Sequence, residues 1–237
     1  MITKKDIRKA YQRHADKYDL SVQLYRLLGL RIEAYRSYTV DLLSLQKGDW
    51  VVELGCGTGL NFPRIMEKIG PGGRLIGVDI TPGMLDVARA KADRCGWQNV
   101  ELIESDIAAF HFPPKVNGVI STGVFGYVPE YDCVIEKASR ALAPGGLLVI
   151  FDLKRPERWP SWLFHLYLGL AQPFGVTPAY FHHKPWKSVE RHFPATRFEE
   201  RYGGLIYIST GIAGIPTAGE IIEEMANLEM FPVPSPS

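Results

Sequence analysis

The sequence predicts an α/β fold: a doubly wound, mostly parallel sheet of seven strands with an antiparallel C-terminal hairpin and a helical N-terminal cap. The first supporting observation is an apolar strand, a glycine-rich turn, a helix and a second strand between Trp50 and Asp79. The second is the alternation of helical and apolar strand patterns up to residue 153. The third is a pair of alternating segments joined by Gly203-Gly204, which is a hairpin signal.

Composition argues against nucleic-acid binding and against a membrane span. The chain has 237 residues, 46% of them hydrophobic, and a formal net charge of +1, which gives no general attraction to nucleic acid. No apolar run reaches the roughly 18 residues that cross a bilayer, and the first ten residues lack the apolar region of a secretory signal. Cys56, Cys95 and Cys133 have neither metal-site nor disulfide spacing. We therefore expect a cytoplasmic protein with no nucleic-acid partner and at most peripheral membrane contact.

The chain divides into four expected regions. Residues 1–45 are expected to form the helical cap, in which Tyr11, Tyr18 and Tyr25 recur at seven-residue spacing, as in an aromatic stripe. Residues 46–153 and 195–211 should form the α/β core, and residues 154–194 an insertion. Residues 212–237 are expected to form a C-terminal helix and a flexible Pro/Ser tail.

The glycine-rich turn and the acid after it predict a ribose-containing ligand. The strand Val51-Val52-Glu53-Leu54 breaks into Gly55-Cys56-Gly57-Thr58-Gly59. Glycines let the backbone approach a ligand, since no Cβ intervenes. Asp79 ends the second strand, where a carboxylate can accept hydrogen bonds from both ribose hydroxyls. The alternative is a turn that binds nothing.

The glycine spacing argues against a dinucleotide. That fingerprint requires G-x-G-x-x-G/A, but Leu60 occupies the third small position and the third glycine falls at Gly59. Glu53 also stands two residues before the first glycine. The run E-L-G-C-G-T-G therefore resembles motif I of the class I S-adenosylmethionine-dependent methyltransferases, whose loop surrounds the zwitterionic methionine end of the cofactor.

The resemblance implies a set of cofactor-binding residues. Tyr18-Asp19 is similar to the family's N-terminal Y-D segment, which closes over the cofactor. The run from Asp79 to Leu85 resembles D-x-S/T-x-x-M-L, in which the acid holds the ribose and the methionine packs beside the adenine. Asp106 matches the acid that accepts a hydrogen bond from the adenine amino group, although a helix cap is the alternative. The implied residues are Tyr18, Glu53, Gly55, Cys56, Gly57, Thr58, Gly59, Asn61, Asp79, Ile80, Met84, Ser105, Asp106, Ile107, Thr122 and Gly123.

Two later segments extend the resemblance. The loop after the fourth strand faces both the sulfonium and the acceptor in this family. Tyr127 is therefore a candidate acceptor-pocket residue and a candidate catalytic residue, with a packed loop aromatic as the alternative. The run L-A-P-G-G-L-L-V-I-F-D from Leu142 resembles a later family motif with a structural role. The terminal hairpin favours the class I methyltransferase, Rossmann-like topology over the dinucleotide-binding one.

The insertion is the least generic segment. It holds Trp159, Trp162 and Trp186 and four of the six histidines. Residues 162–170 are apolar nearly all round, so this helix is buried or lies against an apolar acceptor or a lipid surface. Family members build the acceptor pocket in such an insertion, and we interpret it as a lid that contributes Trp162 and His165. The histidines lack ligand spacing, so no metal is predicted.

The resemblance thus implies methyl transfer from S-adenosylmethionine to a small, hydrophobic or lipid-like acceptor by in-line displacement. The Y-D segment, the Trp-rich insertion and the hairpin resemble quinone C-methyltransferases and phospholipid N-methyltransferases. One alternative is a module that binds the cofactor without catalysis. The other is a nicotinamide-dependent oxidoreductase, which Leu60 and the hairpin disfavour. No oligomeric state is predicted.

Overall fold

The computed structural model describes residues 32–171 and 176–214. The strands are β1 (Trp50–Leu54), β2 (Arg74–Asp79), β3 (Val100–Glu104), β4 (Val116–Thr122), β5 (Leu142–Leu153), β6 (Ala195–Arg201) and β7 (Ile206–Ile212). The α-helices are α1 (Ile32–Asp41), α2 (Phe62–Ile69), α3 (Pro82–Arg94), α4 (Tyr131–Ala141), α5 (Ser161–Ala171) and α6 (Pro185–His192). Short 3₁₀ turns cover Phe125–Tyr127, Pro178–His182 and Tyr202–Gly204.

The strands form one sheet in the order β3-β2-β1-β4-β5-β7-β6. Strands β1 to β5 pair in parallel, whereas β7 runs antiparallel to both β5 and β6. The predicted α/β fold with a C-terminal antiparallel hairpin is therefore confirmed. The strand order reverses between β1 and β4, and ligands of open α/β sheets bind outside the carboxyl ends at such a point.

Helices cover both faces of the sheet because adjacent strand residues point to opposite sides. Val51 of β1 belongs to a core cluster with side chains of α1, α2 and α3. The neighbouring Val52 belongs to a second cluster with side chains of α4 and α6. The sheet interior is therefore buried on both faces, as expected of parallel strands.

The Pro-Gly-Gly run of the later motif lies inside β5 and not before it. The pairing of β4 with β5 shifts from Val116–Leu142 to Gly118–Leu147, so the run bulges out of the ladder. Gly145 has φ +79°, a conformation suited to glycine, and its N–H donates to the Ala213 carbonyl at 2.7 Å. The bulge thus fastens the end of β7 to β5.

Several sequence expectations fall outside the described residues. Of the predicted N-terminal cap, α1 is described and packs on the sheet. Tyr18 and the other tyrosines of the seven-residue stripe lie outside these ranges, as does the expected C-terminal helix with its tail. In the described part of the chain, no helix combines the length and apolarity that a bilayer crossing requires.

Candidate functional site

A cleft opens at the carboxyl ends of β1 to β4. The sequence predicts most of the residues that line it, but not Thr81, Val124 and Val128. The lining consists of Gly55, Gly57, Asp79, Ile80, Thr81, Met84, Asp106, Ile107, Thr122, Gly123, Val124, Tyr127 and Val128. Glu53, Cys56, Thr58, Gly59, Asn61 and Ser105 were also selected, but they are not among the lining residues.

The three glycines of the loop after β1 all have positive φ, but they serve different purposes. A Cβ on Gly55 would lie 2.2 Å from Val124, and one on Gly59 would lie 2.6 Å from the Phe62 ring. These two glycines are therefore required by packing within the protein. A Cβ on Gly57 would meet no atom within 4 Å, although Gly57 lines the cleft. The backbone at Gly57 is thus left open to a ligand.

Asp79 ties two loops together at the end of β2. Its Oδ2 accepts a hydrogen bond from the Gly57 N–H at 2.9 Å, and its Oδ1 accepts one from the Thr81 N–H at 2.8 Å. Burial raises the pKa of this carboxyl above its usual value, and the hydrogen bonds oppose that rise. A carboxylate oxygen accepts more than one hydrogen bond, so both oxygens can still bind hydroxyl groups from the cleft.

Glu53 is the most deeply buried acid near the cleft. Its Oε1 accepts a hydrogen bond from Asn61 Nδ2 at 2.7 Å, and the Asn61 Oδ1 accepts one from Arg36 Nε at 3.1 Å. Its Oε2 has no hydrogen-bond partner among the described residues. Burial raises the pKa of Glu53 to about 7. A buried carboxylate oxygen without a partner is a place where a bound cationic group would be stabilised.

The raised pKa of Glu53 predicts a pH-dependent stability. Because the folded carboxyl holds its proton more tightly than the unfolded one, its contribution to stability is present at low pH. That contribution is lost as pH rises from about 4.5 to about 7. Across this window the free energy of unfolding of the ligand-free protein should fall by about 3 kcal/mol through this group alone. Urea unfolding at pH 5 and pH 7.5 measures it, and Glu53→Gln should remove that part of the slope. If the free energy of unfolding changes equally with pH in the wild type and in Glu53→Gln, the prediction is contradicted. Glu104→Gln, which changes an exposed carboxyl, is the control.

Asp106 follows β3 and closes a turn. Its Oδ1 accepts a hydrogen bond from the Ala108 N–H at 3.0 Å, and its carbonyl accepts bonds from the N–H groups of Ala109 and Phe110. No helix directly follows Asp106 among the described residues, so its side chain closes a turn and is not the helix cap that the sequence left open. Asp106 also lines the cleft, beside the buried side chains of Met84 and Ile107. An acid between apolar side chains in this position suits a flat ring that carries an amino group.

The loop after β4 is held from behind by a buried carboxylate. Asp152 of β5 accepts hydrogen bonds from the Phe125 N–H at 2.8 Å and from the Tyr180 hydroxyl. Burial raises the pKa of Asp152 to about 6 and that of Tyr180 well above its usual range. The Tyr180 ring presses on Gly126, where a Cβ would lie 2.1 Å away, and meets the Tyr127 ring edge-on at 4.7 Å. The insertion therefore fixes the turn that presents Tyr127 to the cleft.

The Tyr180–Asp152 hydrogen bond should contribute measurably to stability. Tyr180→Phe removes the donor from a buried acceptor, so we expect the free energy of unfolding to fall by about 1–3 kcal/mol. The matched control is Tyr207→Phe, because Tyr207 is also fully buried but its hydroxyl has no partner among the described residues. Tyr207→Phe should leave the free energy of unfolding unchanged or raise it. Urea unfolding of both variants tests the prediction, and equal effects would contradict it.

The structure does not bring Trp162 and His165 to the cleft. Both side chains are exposed on α5, and His165 Nδ1 lies 2.6 Å from the Ser161 carbonyl oxygen of the same helix. The face of α5 that packs inward carries Phe164 and Ala171. A helix that is apolar all round does not reveal in its sequence which face is buried, and this explains the difference.

Asp152 and Tyr180 were not selected because they come from separate segments. In the sequence, Asp152 belongs only to a motif with a structural role, and nothing around Tyr180 marks it as a partner. The possible signal was a lone acid at the end of an otherwise apolar strand, since a buried carboxylate requires hydrogen-bond donors.

The residues present fit S-adenosylmethionine. The open backbone at Gly57, the unpartnered oxygen of Glu53 and the carboxylates of Asp79 and Asp106 lie at the same sheet edge. They offer, in turn, close backbone approach, a partner for an ammonium group, and acceptors for ribose hydroxyls and an adenine amino group. The assignment of these individual roles stays a prediction.

Comparison with known proteins agrees with this fit. A family model described as "Methyltransferase domain" matches residues 45–171. The demethylmenaquinone methyltransferase of Listeria welshimeri is 30% identical over 196 residues, which cover 79% of this chain and 81% of the relative. A protein with the same description from Anoxybacillus flavithermus is 27% identical, and the match covers 71% of each chain.

Solved structures share the fold. A SAM-dependent methyltransferase from Aquifex aeolicus superposes with a TM-score of 0.54 at 20% identity, covering 72% of this chain and 85% of that one. Geranyl diphosphate C-methyltransferase from Streptomyces coelicolor A3(2) gives a TM-score of 0.59 at 14% identity, covering 76% of each chain. With the family model matching more than half of its residues, the chain belongs to the methyltransferase domain family, and the prediction of a class I S-adenosylmethionine-dependent methyltransferase is confirmed.

Proposed function

We propose that this methyltransferase methylates a small, apolar, ring-bearing or lipid-like acceptor, with a hydroquinone as the first candidate. The observation that carries the proposal is the 30% identity, over most of both chains, to proteins described as demethylmenaquinone methyltransferases. The cleft supports it independently, because Val124, Tyr127 and Val128 make its β4 side apolar. An acceptor with an apolar ring can be desolvated there without leaving a buried polar group unpaired.

The proposed cofactor site extends along the cleft from the glycine loop at Gly57 to Asp106. Gly57 and Glu53 would hold the methionine end, with the ammonium group beside the free carboxylate oxygen of Glu53. Asp79 would accept hydrogen bonds from the ribose hydroxyls. Asp106 would accept one from the adenine amino group, between the apolar side chains that flank the ring. The sulfonium supplies an activated methyl group when the cofactor is bound.

The chain's own contribution to the reaction would be orientation and exclusion of water. A near-linear arrangement of acceptor atom, methyl group and sulfur can be worth several kcal/mol without any side chain making or breaking a bond. The turn at Phe125–Tyr127, held by Asp152 and Tyr180, provides a rigid wall for that arrangement. A base is needed only for an acceptor that arrives protonated, and Tyr127 stays a weak candidate for that role.

The insertion is proposed to close the acceptor side of the cleft. Its turn Pro178–His182 packs on the β4 loop through Tyr180, and His183 Nδ1 lies 3.1 Å from the Phe125 carbonyl oxygen. Aromatic rings extend from Tyr127 through Tyr180 to Phe181 and Phe164 of α5. An apolar acceptor in the cleft would therefore touch the Tyr127 ring, which the aromatic side chains of the insertion support from behind.

Direct assay with labelled cofactor tests the proposal. The purified protein is incubated with methyl-labelled S-adenosylmethionine and one of three acceptors: a short-chain demethylmenaquinol, phosphatidylethanolamine in detergent, or a soluble catechol. Mass spectrometry then measures the gain of one methyl group. We expect methylation of the quinol at carbon and at least tenfold lower kcat/KM for the other two. Preference for phosphatidylethanolamine or for the catechol would overturn the hydroquinone assignment.

A further inference from the structure

Helix α5 presents an apolar stripe to solvent. Trp162, Leu166 and Leu170 recur every four residues and therefore lie along one face of the helix. Their exposed fractions are 68%, 56% and 70%. The other described large apolar side chains with strong exposure are Trp50 at 37% and Phe198 at 40%, each on a strand. Isolated exposed apolar residues are ordinary, but a stripe of three on one helix marks a docking surface.

The side of α5 opposite the stripe is fixed to the protein. Phe164 and Ala171 are buried, and the Phe164 ring meets the Phe181 ring edge-on at 5.1 Å. Tyr167 also packs on Phe181, at 6.5 Å between ring centroids. Because these contacts hold α5 in one orientation, the stripe faces away from the body of the protein. Its exposure follows from the packing of the other face.

The stripe has cationic surroundings, although the chain as a whole is nearly neutral. Residues 154–187 contain five Lys or Arg and a single carboxylate, against a net charge of +1 for the whole chain. Lys154 is buried and pairs with Glu157 and Glu200, and the exposed Lys187 pairs with Glu190 at 2.7 Å. Arg155, Arg158 and Lys184 are also exposed. No described carboxylate makes an ion pair with Arg155, Arg158 or Lys184.

These cations lie near the beginning of α5. The Arg155 guanidinium lies 5.3 Å from the centre of the Phe164 ring. Four cations, Lys154, Arg155, Lys184 and Lys187, and two carboxylates, Glu157 and Glu200, line a surface groove that reaches Ser161, the first residue of α5. Arg158 lies three residues before Ser161. The basic groove thus meets α5 at its first turn, where the stripe begins with Trp162.

We propose that this surface, the α5 stripe with its basic rim, docks the protein on an anionic phospholipid bilayer. An apolar face with a tryptophan and flanking cations is the pattern of a helix that lies in the plane of a membrane interface. The 11 residues of α5 would span only about 16 Å, so the helix lies on the bilayer and does not cross it. A second copy of the chain is a poorer occupant, because a two-fold contact through the stripe would bring two basic rims together.

The docking surface connects to the cleft through aromatic packing. Phe164 and Tyr167 of α5 contact Phe181, which packs on Tyr180, and Tyr180 meets Tyr127 at the cleft. Docking would therefore place the apolar side of the cleft near the lipid in which an apolar acceptor dissolves. The docking itself does not depend on which acceptor is methylated.

Vesicle sedimentation of the full chain tests the proposal without any acceptor. The probes are vesicles of pure phosphatidylcholine and vesicles with one-quarter phosphatidylglycerol. We expect binding to the anionic vesicles that falls at least tenfold when the salt concentration rises from 0.05 M to 0.5 M. Leu166→Ser/Leu170→Ser should weaken binding at least tenfold through lost apolar burial. Arg158→Gln/Lys184→Gln should weaken it more than tenfold, at about fivefold for each cation.

Matched controls separate docking from general surface effects. Trp50→Ser removes an exposed tryptophan from the amino end of β1, and Arg89→Gln/Arg94→Gln removes two exposed cations from α3. Both should bind vesicles like the wild type. Calorimetric titration with S-adenosylmethionine should give wild-type affinity for all four variants, which shows that they fold.

Three results would overturn the proposal. The first is absence of wild-type binding to anionic vesicles, and the second is unchanged binding after the two leucine substitutions. The third is a wild-type dimer in sedimentation velocity that the same leucine substitutions convert to a monomer, which would assign the stripe to a second copy of the chain. Acceptor turnover is measured separately, so failure of the hydroquinone assignment leaves the vesicle result intact.

Discussion

Asp79→Ala is expected to weaken S-adenosylmethionine binding about a hundredfold or more. In the proposed site this carboxylate accepts two hydrogen bonds from the ribose, and each bond to a charged group is worth about 1.5–3 kcal/mol. Every 1.4 kcal/mol corresponds to about a tenfold change in affinity. The same substitution also removes the acceptor of the Gly57 N–H, so the loop that would hold the methionine end loses support. Calorimetric titration with the cofactor measures the effect.

Two further variants distinguish the ribose contact from a general loss of structure. Glu104 lies opposite Asp79 in the β2–β3 ladder but does not line the cleft. The cofactor affinity of Glu104→Gln should therefore stay within about twofold of wild type. Asp79→Asn keeps the side-chain shape and the acceptor for the Thr81 N–H, but loses the charge. We expect its affinity to lie between those of the wild type and Asp79→Ala. Unchanged affinity of Asp79→Ala would refute the ribose assignment.

Gly57→Ala should weaken cofactor binding at least tenfold while the protein stays folded. A Cβ at this position meets no protein atom, so packing in the ligand-free protein tolerates it. The cost to stability is the left-handed backbone conformation, φ +54°, at about 1–2 kcal/mol for a residue with a Cβ. Because Gly57 lines the cleft, the added methyl group would occupy space that the cofactor needs.

Gly96→Ala is the matched control for Gly57→Ala. Gly96 also has positive φ, at +70°, and a Cβ there likewise meets nothing within 4 Å, but it follows α3 and does not line the cleft. Thermal unfolding should show a similar loss of stability for both variants, whereas calorimetry should show weakened cofactor binding for Gly57→Ala alone. Equal cofactor affinities in the two variants would mean that the loop lies outside the cofactor site.

The predictions that succeeded rest on local patterns. The order of strands and helices follows from apolar periodicity and glycine-containing turns, and the hairpin follows from Gly203-Gly204. The position of Asp79 at the cleft follows from its place at the end of a strand, since carboxyl ends of parallel strands share one edge. Each of these inferences needs only residues close in the chain.

The features that were missed depend on contacts between distant segments. Asp152 and Tyr180 lie 28 residues apart, and their hydrogen bond exists because β5 and the insertion converge behind the β4 loop. Arg36 reaches the buried Glu53 through Asn61, which lies 25 residues further along the chain. In the sequence, the spacing of each pair is no different from that of two unrelated, solvent-exposed polar residues.

The fold and the position of the glycine loop and its acid follow from the sequence, because regular backbone structure follows local periodicity. The enzyme class was implied by the resemblance of the glycine loop and the later motifs to a known family. Tertiary structure alone decided which glycine of that loop stays open to a ligand and which face of α5 packs inward. It also decided that a buried carboxylate supports the turn carrying Tyr127. The physical reason is that burial, the pKa shifts that burial produces and the space beside a backbone atom depend on neighbours that the chain brings together only by folding.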